Sequence, residues 1–288
     1  MSSEGLAIPM RVKVVGYQWQ LWRAQMLTIV RLELKRNFFQ LRGFWIYLLA
    51  FAPAVIIGAH AATSHGRCTL EEDTTILAGI FELFYLRLGI FFGCMGIFTR
   101  LFRGEVIQKS LHYYFLMPVR RELLVLGKFV AGSIAAIFFF GSGVLLSFIF
   151  MNGHFGQAGW QYVFNGPGLG QLGSYLLVSV LACIGYGSLF LLMGLLFRNP
   201  VIPAVVVLLW ESINNVLPSI LKKFSIIFYL LPLCPVEVPA EGIGALFTVV
   251  ADPVPAFVAI PGLLCVSALL LYYAARKIRS MEISYGTD

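Results

Sequence analysis

The chain has 288 residues, of which 59% are hydrophobic and only 12% are charged, and its mean hydropathy is +0.84. Soluble domains carry roughly 45–50% apolar and about 25% charged residues. The core of a soluble protein of this size cannot bury so many apolar residues. The composition therefore excludes a protein that works in free solution and predicts an all-α membrane protein. The net charge of +7 comes from basic residues spread between apolar stretches, which argues against a nucleic-acid partner.

Residues 1–42 form a mixed, basic N-terminal segment that lacks the apolar core of a signal peptide. Within it, residues 17–41 combine Trp19, Trp22 and aliphatic side chains with Arg and Lys. This mixture is typical of an amphipathic helix that lies in the membrane interface, with its basic residues toward the lipid headgroups. We therefore predict an interfacial helix ahead of the first membrane span.

Six apolar stretches reach or approach the roughly 20 residues that a helix needs to cross a bilayer. They are residues 43–61, 76–98, 129–151, 172–197, 201–221 and 255–275. The pattern predicts a six-helix transmembrane domain over residues 43–275, followed by a tail at 276–288. Gly185, Gly187 and Gly194 in the fourth span predict close helix packing there.

The segment 222–254, between the fifth and sixth spans, is apolar but contains Pro232, Pro235 and Pro239. Proline removes a backbone donor and breaks a regular helix. The prolines therefore predict short, half-inserted helices, that is, a broken re-entrant segment on the outer side before the last span.

Basic residues are distributed unevenly between the two sides of the predicted spans. Of the 21 Lys and Arg residues, 17 lie on one side, three lie on the other, and Arg87 lies within a span. The positive-inside rule makes the richer side cytoplasmic. Both termini and the loop 100–128 are therefore expected in the cytoplasm.

The loop 100–128 joins the second and third spans and has its own amphipathic pattern. Residues 102–128 read FRGEVIQKSLHYYFLMPVRRELLVLGK, in which apolar residues follow a polar turn and Pro118 ends the pattern. A short, stiff helix between two membrane helices transmits force from a soluble partner to both of them.

This loop resembles that of permease subunits of the type-two ABC exporter family. In that family a Gly and a Glu follow the second span, a hydrophobic run leads to Pro-Val, and Gly-Lys enters the third span. The matching residues are Gly104, Glu105, Leu111, Leu116, Pro118, Val119, Arg121, Leu126, Gly127 and Lys128. Ser110 departs from the usual threonine. The resemblance extends to the interfacial helix, the six spans, the cytoplasmic termini and the broken outer segment.

The resemblance implies that two copies of the permease, or this chain and a related permease, dimerise in a bacterial inner membrane. Each permease would dock on a separate ABC ATPase, giving two ATPase copies. The residues expected to couple to the ATPase are Gly104, Glu105, Gln108, Lys109, Ser110, Leu111, Tyr114, Leu116, Pro118, Arg120 and Arg121.

The resemblance also implies that ATP and Mg²⁺ bind to the partner and not to this chain. A phosphate-binding GxxxxGK[ST] motif is missing from the sequence, because Gly127 and Lys128 are followed by Phe129. We therefore expect a transport subunit of an ATP-driven exporter, without a cofactor and without an enzymatic site of its own.

Glu82, Arg87 and Glu211 are ionisable residues inside predicted spans, where a charge costs several kcal/mol unless it is paired or hydrated. Arg87 and Glu211 fall at matching depths, so we predict that they pair, within one subunit or across the dimer. The five-residue spacing of Glu82 from Arg87 is poor for an ion pair on an α-helix. With Asn214 and Asn215, these residues are candidates for the substrate path or its gate. A structural ion pair that only fixes helix register is an equal alternative.

Other function classes have less support. Histidines 60, 65, 112 and 154 lie in or beside loops and form no known catalytic motif, which argues against a membrane enzyme. The two halves of the chain do not match as inverted repeats, which argues against a secondary transporter driven by an ion gradient. A membrane scaffold without transport remains a further alternative. The sequence does not indicate the transported substrate.

Five cysteines are scattered along the chain without a CxxC pair, which argues against a zinc or thiol-redox site. We therefore expect no metal site. Cys68 and Cys234 both fall in predicted outer loops and could form a disulfide in an oxidising compartment.

Overall fold

The computed structural model describes residues 9–39, 44–63, 68–107, 120–197, 199–213, 219–236, 238 and 254–279, and every regular element among them is helical. In chain order these are α1 (Pro9–Phe39), α2 (Phe44–Thr63), α3 (Leu70–Ile80), a π-helical segment (Phe81–Ile90), α4 (Phe91–Ile107), α5 (Arg121–Gly153), α6 (Gln157–Asn165), α7 (Gly168–Leu196), α8 (Val201–Ser212), α9 (Ser219–Lys222), α10 (Ile226–Leu230), a 3₁₀ turn (Leu231–Leu233) and α11 (Ala256–Arg279).

The predicted all-α membrane fold is confirmed. Within the described residues, five helical stretches are long and apolar enough to cross a membrane. They are α2, the run from α3 through the π-helical segment to Phe102 in α4, α5, α7 and α11. In such helices the backbone groups bond within the segment, which satisfies them without water.

The predicted fifth span, 201–221, is not one continuous helix. Its first part forms α8, which has 12 residues and ends at Ser212. A helix of that length covers about 18 Å, against about 30 Å of hydrocarbon. Glu211, at the end of α8, accepts hydrogen bonds from residues 225–227, which a helix continuing through residue 221 would not allow.

The two ends of the bundle differ in charge. At the end where α5 begins and α11 ends lie Arg120, Arg121, Arg276, Lys277 and Arg279, and we call it the basic end. At the opposite end α2 finishes, α3 begins and α5 finishes. Because α5 has 33 residues, or about 50 Å, it is longer than the hydrocarbon is thick, and its charged first turn projects from the basic end.

Glycines allow close helix contacts at the centre of the bundle. A Cβ atom at Gly143 of α5 would lie 2.1 Å from the carbonyl oxygen of Ala50 in α2. A Cβ at Gly187 of α7 would lie 2.6 Å from the Phe98 ring of α4. The close packing predicted from the glycines of the fourth span is therefore confirmed.

The described part of the segment before the last span is broken into short helices, as predicted, and its re-entrant position on the outer side stays a prediction. Two short helices, α9 and α10, are followed by the 3₁₀ turn that contains Pro232. Ile226 of α10 packs against Gly185 of α7, at 3.1 Å from the position of a Cβ there. Pro239 and its neighbours to residue 253 lie outside the described residues.

Gly143→Ala should destabilise the protein by about 1–3 kcal/mol, because the added methyl group would overlap the backbone of α2. Gly141→Ala is the matched control on the same helix, since its nearest neighbour would be 4.0 Å away. We expect the control to be neutral or slightly stabilising. Thermal unfolding of the purified proteins in detergent would measure both, and equal melting temperatures for the two variants would contradict the close α2–α5 contact.

Candidate functional site

A buried ion pair lies at the basic end, where the chain re-enters the bundle after the loop. Lys128 of α5 is 0% exposed, and its Nζ atom forms an ion pair with Glu33 of α1. The same ammonium group donates a hydrogen bond of 2.9 Å to the carbonyl oxygen of Leu101 in α4. A buried charge is tolerated when it is paired and hydrogen-bonded. One side chain thus joins α1, α4 and α5.

Two further contacts align α1 with the start of α5. The guanidinium group of Arg120 lies 4.2 Å from the centre of the Trp22 ring, within the range of a cation–π interaction. Farther along both helices, a Cβ atom at Gly127 of α5 would lie 2.9 Å from the Ile29 side chain of α1. These contacts and the ion pair follow in the same order on both helices, so α1 runs parallel to the first turns of α5.

The first turn of α5 also holds the end of α11. Arg121 donates hydrogen bonds of 3.4 Å and 3.2 Å to the carbonyl oxygens of Ile278 and Arg279. Next to it, Glu122 forms an ion pair with the Arg279 side chain. Cations near a helix C-terminus satisfy its free carbonyl groups. The residues that directly follow the loop therefore bind α1 on one side and α11 on the other.

The structure describes the two ends of the predicted coupling loop but not its middle. Gly104 and Glu105 lie in the last turns of α4, and Arg120 and Arg121 lie at the start of α5. The remaining predicted coupling residues lie outside the described residues: Gln108, Lys109, Ser110, Leu111, Tyr114, Leu116 and Pro118.

Sequence analysis missed the role of Glu33. The available signal was its rarity, because Glu4 and Glu33 are the two acidic residues of the basic segment 1–42. Its partner Lys128 is 95 positions away, so neither periodicity nor spacing could have joined the two. Lys128 itself was included in the family resemblance, but without a structural role.

Two residues of the second candidate group lie in the middle of a membrane span, on the π-helical segment. Glu82 and Arg87 are both half-buried on this segment. In a π-helix the hydrogen bonds run from i to i+5, which brings residues five apart close to one face. The prediction that a five-residue spacing is poor for an ion pair assumed an α-helix. That assumption does not hold here, because the segment is a π-helix. Arg87 lies within electrostatic range of Glu82, without a direct ion pair between these two described residues.

Glu211 is buried at 5% exposure, and both of its carboxylate oxygens accept hydrogen bonds from the start of α10. The Ser225 hydroxyl donates to Oε2 at 2.7 Å, the backbone N–H of Ile226 donates to Oε1 at 2.9 Å, and that of Ile227 donates to Oε2 at 3.1 Å. In a continuous helix, residues 211 and 226 would be about 22 Å apart. These bonds therefore account for the turn after α8.

The predicted ion pair between Arg87 and Glu211 within one chain is wrong. Arg87 lies within electrostatic range of Glu211, but no direct ion pair joins these two described residues, because donors from 225–227 occupy the carboxylate. Pairing across a dimer stays a prediction. Asn214 and Asn215 lie outside the described residues.

A protein-family model described as "ABC-2 family transporter protein" matches residues 33–215. The match covers more than half of the chain and runs from Glu33 of the buried ion pair to just beyond Glu211. The chain belongs to the ABC-2 transporter family. No individual curated protein matches it significantly.

Family membership makes this chain a permease subunit of an ABC transporter and implies association with an ABC ATPase at a membrane. Permeases of the family are transmembrane components and generally lack an ATPase site of their own.

Lys128→Met should destabilise this permease by about 3–5 kcal/mol, because it leaves the Glu33 carboxylate buried without its cation. The double variant Lys128→Met/Glu33→Leu should recover most of that loss, since an apolar pair of similar volume replaces a buried ion pair at little cost. Lys35→Met is the control, because Lys35 is exposed on the same helix. Chemical unfolding of the unmodified protein, Lys128→Met, Glu33→Leu and the double variant gives the coupling energy, and Lys35→Met is unfolded alongside them. A double variant as unstable as Lys128→Met would contradict the assignment.

Glu211→Gln should destabilise the permease by about 1–3 kcal/mol, because an amide nitrogen would face donors that now bond to a carboxylate. Ser225→Ala removes one of the three bonds and should have a smaller effect. Glu82→Gln is the matched control within a membrane span, and we expect its melting temperature to be close to that of the unmodified protein. If Glu211→Gln and the control have the same melting temperature, the carboxylate does not hold α10 in place.

Proposed function

We propose that the permease is the membrane subunit of an ATP-driven exporter and that its loop 100–128 couples it to a separate ABC ATPase. The observation that carries this proposal is the set of contacts at the two ends of the loop. Lys128 binds both Glu33 and the Leu101 carbonyl, so the last turns of α4 and the first turns of α5 are joined through one buried group.

A force on the loop would therefore move several helices together. Packed interiors are dense and transmit displacement with little compression. Because Arg121 holds the end of α11 and α1 lies along α5, displacement at the loop would reach four helices at the basic end. This arrangement suits a subunit that receives its energy from a soluble partner.

The proposal includes two permeases, identical or related, and two ATPases in a bacterial inner membrane with both termini in the cytoplasm. The positive-inside rule supports this orientation. Glu82 and Arg87 support the dimer, because both stay partly exposed on a membrane span of the single chain. Charged side chains that face lipid are costly, so this face needs a second permease or a hydrated path against it.

Glu82 and Arg87 are accordingly our first candidates for the substrate path or its gate. The π-helical segment supports this role, since such segments are rare and often mark functional positions. Asn214 and Asn215 keep this role as sequence-based candidates. The hydrogen bonds of Glu211 favour a structural role for it, namely holding α10 against α8.

Glu105→Lys should weaken binding of the ATPase roughly tenfold or more, because reversing a charge at a docking surface costs more than about 1.4 kcal/mol. The test co-expresses the full-length permease with its ABC ATPase, purifies the permease by a tag, and measures both the bound ATPase and its ATP hydrolysis in nanodiscs. Glu71→Lys is the control, since Glu71 is an exposed carboxylate in the first turn of α3 at the opposite end.

The control should retain both the bound ATPase and its activity. Loss of ATPase in the control and not in Glu105→Lys would place the docking surface at the wrong end and overturn the proposal. Normal binding and hydrolysis in both variants would remove Glu105 from the coupling surface.

A further inference from the structure

Four side chains with metal-ligating atoms meet at the opposite end of the bundle. Asp73, in the first turn of α3, is 1% exposed. Its Oδ1 atom lies 3.4 Å from Nε2 of His60, in the last turn of α2, and that nitrogen lies 3.9 Å from Sγ of Cys68. One ligand atom from each of these three residues falls within 4.8 Å of the others.

His154 adds a fourth group, behind the carboxylate. It follows α5 directly, its side chain is 8% exposed, and its Nε2 lies 3.2 Å from Oδ2 of Asp73. This oxygen is buried but accepts no hydrogen bond from the described residues, and Nδ1 of His154 is likewise buried without a partner. The two groups are thus close without the geometry of a hydrogen bond.

Two of the three spacings are close to those between ligands that share one ion, and the third is within 4.8 Å. Bonds of about 2.0–2.3 Å to a tetrahedral zinc ion place neighbouring ligand atoms about 3.3–3.6 Å apart. The observed distances of 3.4 Å (N to O) and 3.9 Å (S to N) are within a few tenths of an ångström of that range. Neutral imidazole, thiolate and carboxylate together are the ligand types that Zn²⁺ accepts.

We propose that His60, Cys68 and Asp73 form a binding site for Zn²⁺, with His154 positioned against the second oxygen of the Asp73 carboxylate. Three protein ligands leave the fourth tetrahedral position open to water or to another ligand. In zinc sites a ligating carboxylate commonly has a second group beside it that orients it, and His154 would have this role for Asp73.

No metal-binding motif in the sequence indicates this site, and the group behind the carboxylate comes from a distant part of the chain. His60 and Asp73 are separated by 13 positions, and His154 comes from the end of a different helix. The expectation of no metal site rested on spacing alone, whereas the fold brings these groups together. Cys68 and Cys234 are both free, so the Cys68 thiol is not taken by the disulfide that the sequence allowed.

A bound ion would add a link between the end of α2, the start of α3 and the end of α5. His60 and Asp73 belong to α2 and α3, and His154 extends the link to α5. The ion would therefore fix the end of the bundle opposite the loop 100–128. This inference does not depend on coupling to an ATPase, and its test needs no transport measurement.

The experiment titrates the full-length, chelator-treated permease in detergent with Co²⁺, a spectroscopic substitute for Zn²⁺. We expect one Co²⁺ per chain, a thiolate-to-metal charge-transfer band in the near ultraviolet, and displacement of the Co²⁺ by Zn²⁺. Cys68→Ser should abolish the band. His154→Gln should keep the band and weaken binding by roughly 10–100-fold, as loss of an outer partner does.

Cys265→Ser is the matched control, because Cys265 is an exposed thiol on α11 away from the cluster. It should bind Co²⁺ like the unmodified protein. Absence of the band in the unmodified protein, or its persistence in Cys68→Ser, would overturn the proposal and leave a histidine–carboxylate network without an ion.

A second measurement uses the unmodified protein alone, so it does not depend on the folding of any variant. Mass spectrometry would follow maleimide labelling of Cys68 and Cys265 with and without Zn²⁺. Zn²⁺ should slow labelling of Cys68 at least tenfold and leave Cys265 unchanged. Equal labelling of Cys68 under both conditions would overturn the site.

Discussion

The ion pair between Lys128 and Glu33 is the interaction on which the basic end of this permease depends. Both groups are buried, so neither can lose its partner without leaving a charge in an apolar environment. The ammonium group also uses the Leu101 carbonyl, which ties the end of α4 to the start of α5. A single lysine thereby determines how the two ends of the loop 100–128 sit relative to each other and to α1.

The interior of the bundle shows two different solutions for polar groups in a membrane protein. Glu211 is satisfied within the chain, because the start of α10 supplies a hydroxyl and two backbone donors, and the helix is interrupted as a result. Glu82 and Arg87 are only half-buried and lack direct partners among the described residues. The first arrangement is complete in one subunit, whereas the second leaves groups that an assembled transporter must cover or hydrate.

The two ends of the bundle also differ in how their helices are joined. At the basic end, α1, α4, α5 and α11 are connected by direct ion pairs and by hydrogen bonds to backbone carbonyls. At the opposite end, α2, α3 and α5 converge on one buried carboxylate and two imidazoles. The carboxylate and the imidazoles belong to the proposed Zn²⁺ site, so a bound ion would add a further link between these helices.

Apolar length and basic asymmetry are local properties of the chain, so the sequence was enough to predict the membrane class, the family resemblance, and three of the spans to within four residues of each end of their helices. The tertiary structure alone decided what the polar groups do. Lys128 and Glu33 are 95 positions apart, and Glu211 finds its donors only after the chain turns back. The π-helical segment that carries Glu82 and Arg87 leaves no periodic signal in the sequence, and it packs against α2, α5 and α7.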